Sequence, residues 1–175
     1  MPNFVFTTVP LVETTYPPAA YGCLQPIVSR NGLDMVLNDF NLYLKHNLDS
    51  AVFEEINHWS MFSLNDISEH AKQKLCALFD KSIAGLDIKW LAISVFSFYS
   101  TRPTALLLKH LQNRNIKILL GGNGCMGRLA EFDHLPFGKW CLKNNLCSHV
   151  IFGEGEQALD KLLQNKSGPG IDNID

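Results

Sequence analysis

The 175-residue chain has no long apolar run, no basic run and few charges: 18% of its residues are charged and its formal net charge is −2. No stretch is long enough to cross a bilayer as a helix. A near-neutral chain without clustered Lys or Arg lacks the electrostatic footprint of a dedicated nucleic-acid binder. Met1-Pro2-Asn3-Phe4 supplies no charged segment leading into an apolar one, so the expectation is a cytoplasmic protein without a signal peptide. Cysteine is sparse and unpatterned. Cys23, Cys76, Cys125, Cys141 and Cys147 are odd in number and scattered, which is not a disulfide framework. No two form a CxxC pair, which argues against a structural zinc site or a redox dithiol. A CxxxCxxC cluster motif is absent too. No GxGxxG follows the first strand, no GxxxxGK[ST] exists, and no GxSxG supports serine catalysis. The six His show no pair at helical metal spacing.

What is present is a regular alternation of strands and helices, in a chain 46% hydrophobic and long enough to bury a core. Phe4 to Val9 reads as a strand. Pro17-Pro18 then opens a helix over Ala19–Arg30, which Asn31-Gly32 closes as a left-handed cap and which Pro26 should kink or split. Asp34 to Asp39 is a second strand. The stretch Asn41 to Ser63 is hard to assign beyond a short helix at Ala51–Asn57. Asp66 with Glu69 has the form of a capping box, and Ile67, Ala71, Leu75, Leu78, Phe79 and Ile83 follow at helical spacing up to Gly85. Trp90 to Phe96 is almost continuously apolar, as in a strand buried on both faces of a parallel sheet. Ser100-Thr101-Arg102-Pro103 looks like a cap and first turn, with the helix continuing over Leu106–Arg114. Ile116 to Leu120 is a fourth strand, Leu129 to Asn145 holds one or two short helices, His149 to Phe152 is a fifth strand, and Gln157 to Gln164 is a last helix. Five repeats of this alternation predict an α/β, Rossmann-like (flavodoxin-like) five-stranded parallel sheet, order 2-1-3-4-5, with helices on both faces. Residues 1–165 form the domain, and 166–175 are a linker or tail.

In such a sheet ligands bind beyond the carboxyl ends of the strands. Four loops meet there: Pro10–Pro18, Ser97–Thr101, Gly121–Gly127 and Gly153–Gly155. Gly121, Gly122 and Gly124 let the backbone lie flat against a large planar group, Ser97 and Ser100 offer hydroxyls, and Gly153 and Gly155 bring a helix N-terminus forward. Each loop taken singly reads equally as turn punctuation, and Glu154 or Glu156 as a favourable first-turn charge. Two Gly-rich loops directly after parallel strands shift the balance toward a ligand. Trp59, Met61 and Phe62 form an apolar patch, read as packing or as a contact surface.

The features come in a telling order. A first strand leads to Pro17-Pro18 and Gly22-Cys23-Leu24. Asn31-Gly32 precedes the strand that carries Asp34 and ends at Asp39-Phe40-Asn41. Leu91 to Val95 and Leu119-Leu120-Gly121-Gly122 follow. His149-Val150-Ile151-Phe152-Gly153-Glu154-Gly155-Glu156 is the most specific match, and Ile171 to Asp175 looks like the start of a joining segment. This order resembles the N-terminal cobalamin-binding-type domain of cobalamin-dependent radical S-adenosylmethionine enzymes. The resemblance implies a cytoplasmic module that holds methylcobalamin's lower face against the carboxyl edge of the sheet. The upper face would then serve a methyltransferase acting on an unactivated carbon, with S-adenosylmethionine and a [4Fe-4S] cluster in a radical barrel joined in cis or in trans. It implies binding roles for Ser97, Ser100, Gly121, Gly122, Asn123, Gly153 and Glu154. The Gly121–Asn123 backbone would lie on the corrin or nucleotide loop, and Ser97, Ser100 and Asn123 would bond its amides or phosphate. None of these is a catalytic acid, base or nucleophile, and no protein metal ligand is implied.

Two departures accompany the likeness. The cobalt-ligating DxHxxG motif is absent, since Asp133-His134-Leu135-Pro136-Phe137-Gly138 differs from it in spacing and position. The absence of CxxxCxxC means that this chain alone is not expected to bind the cluster or cleave S-adenosylmethionine. A second reading keeps the fold without the cofactor, as a domain recognising a substrate peptide or packing on the barrel through Trp59, Met61 and Phe62. A third, a flavodoxin-like small-molecule binder or response-regulator relative, is disfavoured because Val9-Pro10-Leu11-Val12-Glu13 offers few phosphate-cradling groups.

Overall fold

The computed structural model describes residues 4–10, 18–62 and 66–165, and the backbone of Ile171–Asn173. Five parallel strands form the sheet: β1 (Phe4–Thr8), β2 (Met35–Asn38), β3 (Trp90–Ser94), β4 (Lys117–Gly121) and β5 (His149–Ile151). Their order is 2-1-3-4-5, as the alternation predicts. The described tail adds something unforeseen. Ile171–Asn173, expected to belong to a linker, pairs antiparallel with β5 as β6 and extends the sheet by one short strand.

Parallel strands must be joined by crossovers, and these coat both faces. Helices α1 (Ala19–Arg30) and α7 (Gly155–Leu163) cover one face, over Phe4, Phe6, Ala92, Leu119 and Ile151. The other face packs Val5, Leu91, Ile93, Leu120 and Val150 against α2 (Phe40–Asn47), α3 (Ser50–Met61), α4 (Glu69–Ser82), α5 (Thr101–Leu111) and α6 (Phe137–Lys143). There Phe40 and Phe79 meet edge to face at 4.9 Å, both wholly buried.

Local chemistry explains where expectation and structure part. The stretch after β2 is two helices rather than one short one. Asp39 caps α2 by accepting from the Leu42 N–H at 3.1 Å, and Asp49 caps α3 by accepting from the Val52 N–H at 3.1 Å. The cap of α4 is Ser68, whose Oγ accepts from the Ala71 N–H; Asp66 lies before the helix and pairs with Lys72 at 2.6 Å instead. Pro26 does not split α1. It sits on the exposed face, where water can satisfy the Gly22 carbonyl that it leaves unbonded. Ser100 makes no side-chain cap for α5; a 3-10 turn over Phe98–Ser100 feeds straight into that helix.

At the amino end of the sheet, His149 lies beside Trp90, ring centroids 5.5 Å apart, with Nδ1 buried and unpartnered. Burial, and then the Lys117 ammonium, hold its pKa below the ordinary 6.5. The folded chain therefore keeps His149 neutral where the unfolded chain takes up a proton, so stability falls as pH drops below that ordinary value. Denaturant midpoints at about pH 7.5 and about pH 5.5 should differ less in His149→Gln than in the parent.

Candidate functional site

Every strand-to-helix connection of a parallel sheet opens at the carboxyl edge. Three of the four expected loops are described there. The fourth, Pro10–Pro18, lies outside the described residues except for its two end prolines.

Beneath these loops, on the α1/α7 face, is a cavity of about 220 Å³. Its origin is a taper in side-chain size. Alternate positions on this face run Trp90, Ala92, Ser94 along β3 and Lys117, Leu119, Gly121 along β4, with the exposed Lys117 ammonium lying over the Trp90 ring at 5.0 Å. Large groups fill the amino end, and the carboxyl end is left open. On the opposite face Ile93, Val95 and Leu120 keep the core full. Phe6, Leu24, Ile151 and Leu159 complete an apolar wall. Far from the mouth, α1 and α7 are fastened together. Arg30 pairs with Asp160 at 3.0 Å, and Asn31 Nδ2 donates to the same carboxylate at 2.8 Å.

The mouth is polar for a backbone reason. Both α1 and α7 begin at this edge, and Ala19, Ala20, Gly155 and Glu156 line the cavity. Among the described residues, Pro18 and Glu154 stand at the capping positions and neither makes a side-chain cap. The positive ends of two helix dipoles, with first-turn N–H groups that these residues do not cap, thus face one opening. Glu156 adds a carboxylate acceptor. The combination suits a ligand with a flat apolar portion, an anionic or carbonyl oxygen and hydroxyl or amide donors.

The expected site residues divide. Gly121, Gly122 and Gly153 line the cavity. Asn123 is exposed on the turn just beyond Gly122, and Glu154 is exposed at the start of α7. Neither reaches the cavity wall. Ser97 and Ser100 belong to the loop after β3, with each Oγ buried and unpartnered. Ser100 is 0% exposed, so its hydroxyl faces the protein interior and does not meet the edge.

Gly122 and Gly124 also meet a packing need within the chain. A Cβ on Gly122 would lie 2.6 Å from the Val95 carbonyl oxygen, and one on Gly124 would lie 2.4 Å from that of Ser97. The space is filled by the neighbouring loop of the chain itself. Gly122 to Gly127 even has G-x-G-x-x-G spacing, but it follows the fourth strand and opens only a four-residue 3-10 turn, Asn123–Met126. It therefore lacks the strand–turn–helix setting of a dinucleotide fingerprint. Gly121 differs from both: nothing but the Ile151 carbonyl oxygen, at 4.0 Å, comes near its missing Cβ.

Ser94, Cys23, Leu24 and Glu156 were not among the expected site residues, yet they line the cavity. The legible signal was the fall in size at alternate positions of two neighbouring strands. On the other face, Trp59 is packed against the core and its carbonyl accepts from Arg102 at 2.7 Å; Met61 and Phe62 are the exposed part of that patch. Among the described residues no group of His, Cys, Asp and Glu could hold a metal ion, and no helix is long and apolar enough to cross a membrane. No protein-family model matches the chain, and neither does any curated protein or any solved structure.

Proposed function

We propose that the chain is a cobalamin-binding module of the kind found at the N-terminus of radical S-adenosylmethionine enzymes. The observation that carries this is the tapered cavity under Gly121, walled by apolar side chains and opening between two uncapped helix starts. Its volume of about 220 Å³ lies below the roughly 300–1,000 Å³ of sites that engulf a whole drug-sized ligand. It fits one arm of a larger molecule. The benzimidazole of cobalamin's nucleotide loop matches the apolar wall, its phosphate the helix N–H groups, and its ribose hydroxyls Glu156. Gly121, Gly122 and Gly153 would border this arm. Bound methylcobalamin supplies a transferable methyl group. The residues of this chain would bind and orient it and exclude water, with the barrel, the cluster and the substrate, a peptide or a small molecule, contributed from elsewhere.

Cys23 gives a direct test. It is exposed and lines the cavity, whereas Cys125, Cys141 and Cys147 are buried. Burial pushes Cys125 and Cys147 up to about 12, which makes them poor nucleophiles. Half-buried Cys76 lies on α4, beyond the sheet, and serves as internal control. Cyanocobalamin at ten times its Kd should slow maleimide labelling of Cys23 about tenfold and leave Cys76 unchanged. An unchanged Cys23 rate at saturation would overturn the placement. The second reading, a cofactor-free recognition domain, draws on exposed Met61 (37%) and Phe62 (70%). It requires that no corrinoid protect Cys23 at all.

A further inference from the structure

Helix α5 has two faces. Leu107, Leu108 and Leu111 are buried in the core. Arg102, Ala105, Leu106 and Lys109 stand at i, i+3, i+4 and i+7 and so share another face. That face is the floor of a second cavity, of about 430 Å³, among the helices on the side of the sheet opposite α1 and α7. Ala105, a short side chain between two long cationic ones, keeps the floor low. Trp59 of α3 and Phe132 and Trp140 form aromatic walls. The walls are braced. The Trp140 ring lies 4.7 Å from that of Phe132 and 6.2 Å from that of Phe137, and Trp59 is packed against the core. The volume lies within the roughly 300–1,000 Å³ of sites that enclose a whole small ligand.

Charge narrows what such a ligand is. Lys72, Arg102 and Lys109 line the cavity against two carboxylates, Asp66 and Glu131. Asp66 holds Lys72 at 2.6 Å, and Glu131 holds Arg102 Nε at 2.8 Å. Arg102 Nη1 donates to the Trp59 carbonyl at 2.7 Å, while Nη2 donates to no acceptor among the described residues. Lys109 has no carboxylate partner among the described residues either, and its ammonium lies 5.9 Å from the centre of the Trp140 ring. We infer that this cavity binds a small planar aromatic monocarboxylate. The aromatic walls take the ring, and the Lys109 ammonium takes the carboxylate. One unmatched cation suits one negative charge. A dianion would meet the Asp66 and Glu131 carboxylates, and a neutral arene would leave Lys109 unmatched. The site is independent of the cobalamin reading, which concerns the other face of the sheet.

The probe is 2-naphthoate, and 2-naphthamide, the same ring system without the charge, is its control. The chain has three tryptophans, and their indole N–H resonances report on position. Trp90, on the α1/α7 face, is the internal reference. The expected result is a saturable shift of the Trp59 and Trp140 resonances in naphthoate, with Trp90 unmoved and naphthamide binding more weakly. Lys109 is exposed, so Lys109→Gln should melt as the parent does. It should raise the naphthoate Kd roughly fivefold and leave that of naphthamide unchanged. Lys109→Arg keeps the charge and should keep the affinity. Trp59 and Trp140 resonances that stay still up to the solubility limit of naphthoate overturn the site. Naphthoate that slows Cys23 labelling and leaves both resonances in place has gone to the other cavity and overturns it too. Equal affinity for acid and amide, or equal naphthoate affinity in parent and Lys109→Gln, overturns the recognition of the carboxylate.

Discussion

Gly121→Leu should weaken cobalamin binding about a hundredfold or more while leaving the protein folded. The position is at the carboxyl end of β4, facing α1 and α7, and its missing Cβ has no neighbour closer than 4.0 Å. A leucine there extends into empty apolar space instead of into backbone. Filling such space without strain stabilises or is neutral, so the melting temperature should equal or exceed the parent's. The same side chain would occupy the volume proposed for the nucleotide arm. Losing that arm's burial should cost about 3 kcal/mol or more, roughly a hundredfold in Kd. Binding isotherms for parent and variant decide it. Full affinity in a folded Gly121→Leu protein would mean that the ligand does not use this cavity.

Gly122→Ala, one residue later, should do the reverse: damage the fold first. Gly122 has φ +102°, a conformation L-residues rarely adopt, and an added methyl would meet the Val95 carbonyl oxygen at 2.6 Å and its carbon at 3.1 Å. Strained backbone costs about 1–3 kcal/mol, and overpacking typically another 1–3. Against a total stability of roughly 5–15 kcal/mol, that is a large fraction. Urea midpoints should show it. Gly22→Ala makes the contrast: nothing lies within 4 Å of that position on α1, and alanine should stabilise the helix by about 0.5–1 kcal/mol. A binding defect in Gly122→Ala therefore says little about the ligand, whereas one in Gly121→Leu says a great deal.

These two neighbours show how far the sequence can be read. The Gly121-Gly122 pair after a buried strand marks the carboxyl edge of the sheet, and the strand order follows from the alternation of apolar runs and helical periodicities. The role of each glycine does not follow. It depends on the loop after β3 lying against Gly122 and Gly124, a contact some 25 residues away in the chain that no local pattern announces. Ser100 makes the same point from the other side. A hydroxyl after a strand looks available, yet the 3-10 turn over Phe98–Ser100 turns it into the interior. Asp39 and Asp49 were readable as caps in principle. They were obscured because α2 is only Phe40–Asn47 and weakly amphipathic, so that its periodicity does not stand out. β6 was not legible at all. Its three residues carry no strand pattern of their own and are held by the free edge of β5.

The cavity itself was half-written in the sequence. Trp90, Ala92, Ser94 on one strand and Lys117, Leu119, Gly121 on the next are plain in retrospect, but their alignment requires the β3–β4 register. Only in that register do Ser94 and Gly121 lie side by side and leave the space that Phe4 and Trp90 fill at the other end.

The most direct measurement is the visible spectrum of the purified chain after incubation with methylcobalamin in the dark and removal of the excess. The account predicts near-stoichiometric retention. It also predicts the yellow spectrum of a corrinoid whose benzimidazole is off the cobalt, as would follow from placing the nucleotide arm in the cavity beneath Gly121. A chain that emerges colourless would contradict it, and so would retained cofactor with the red spectrum of an intact benzimidazole–cobalt bond.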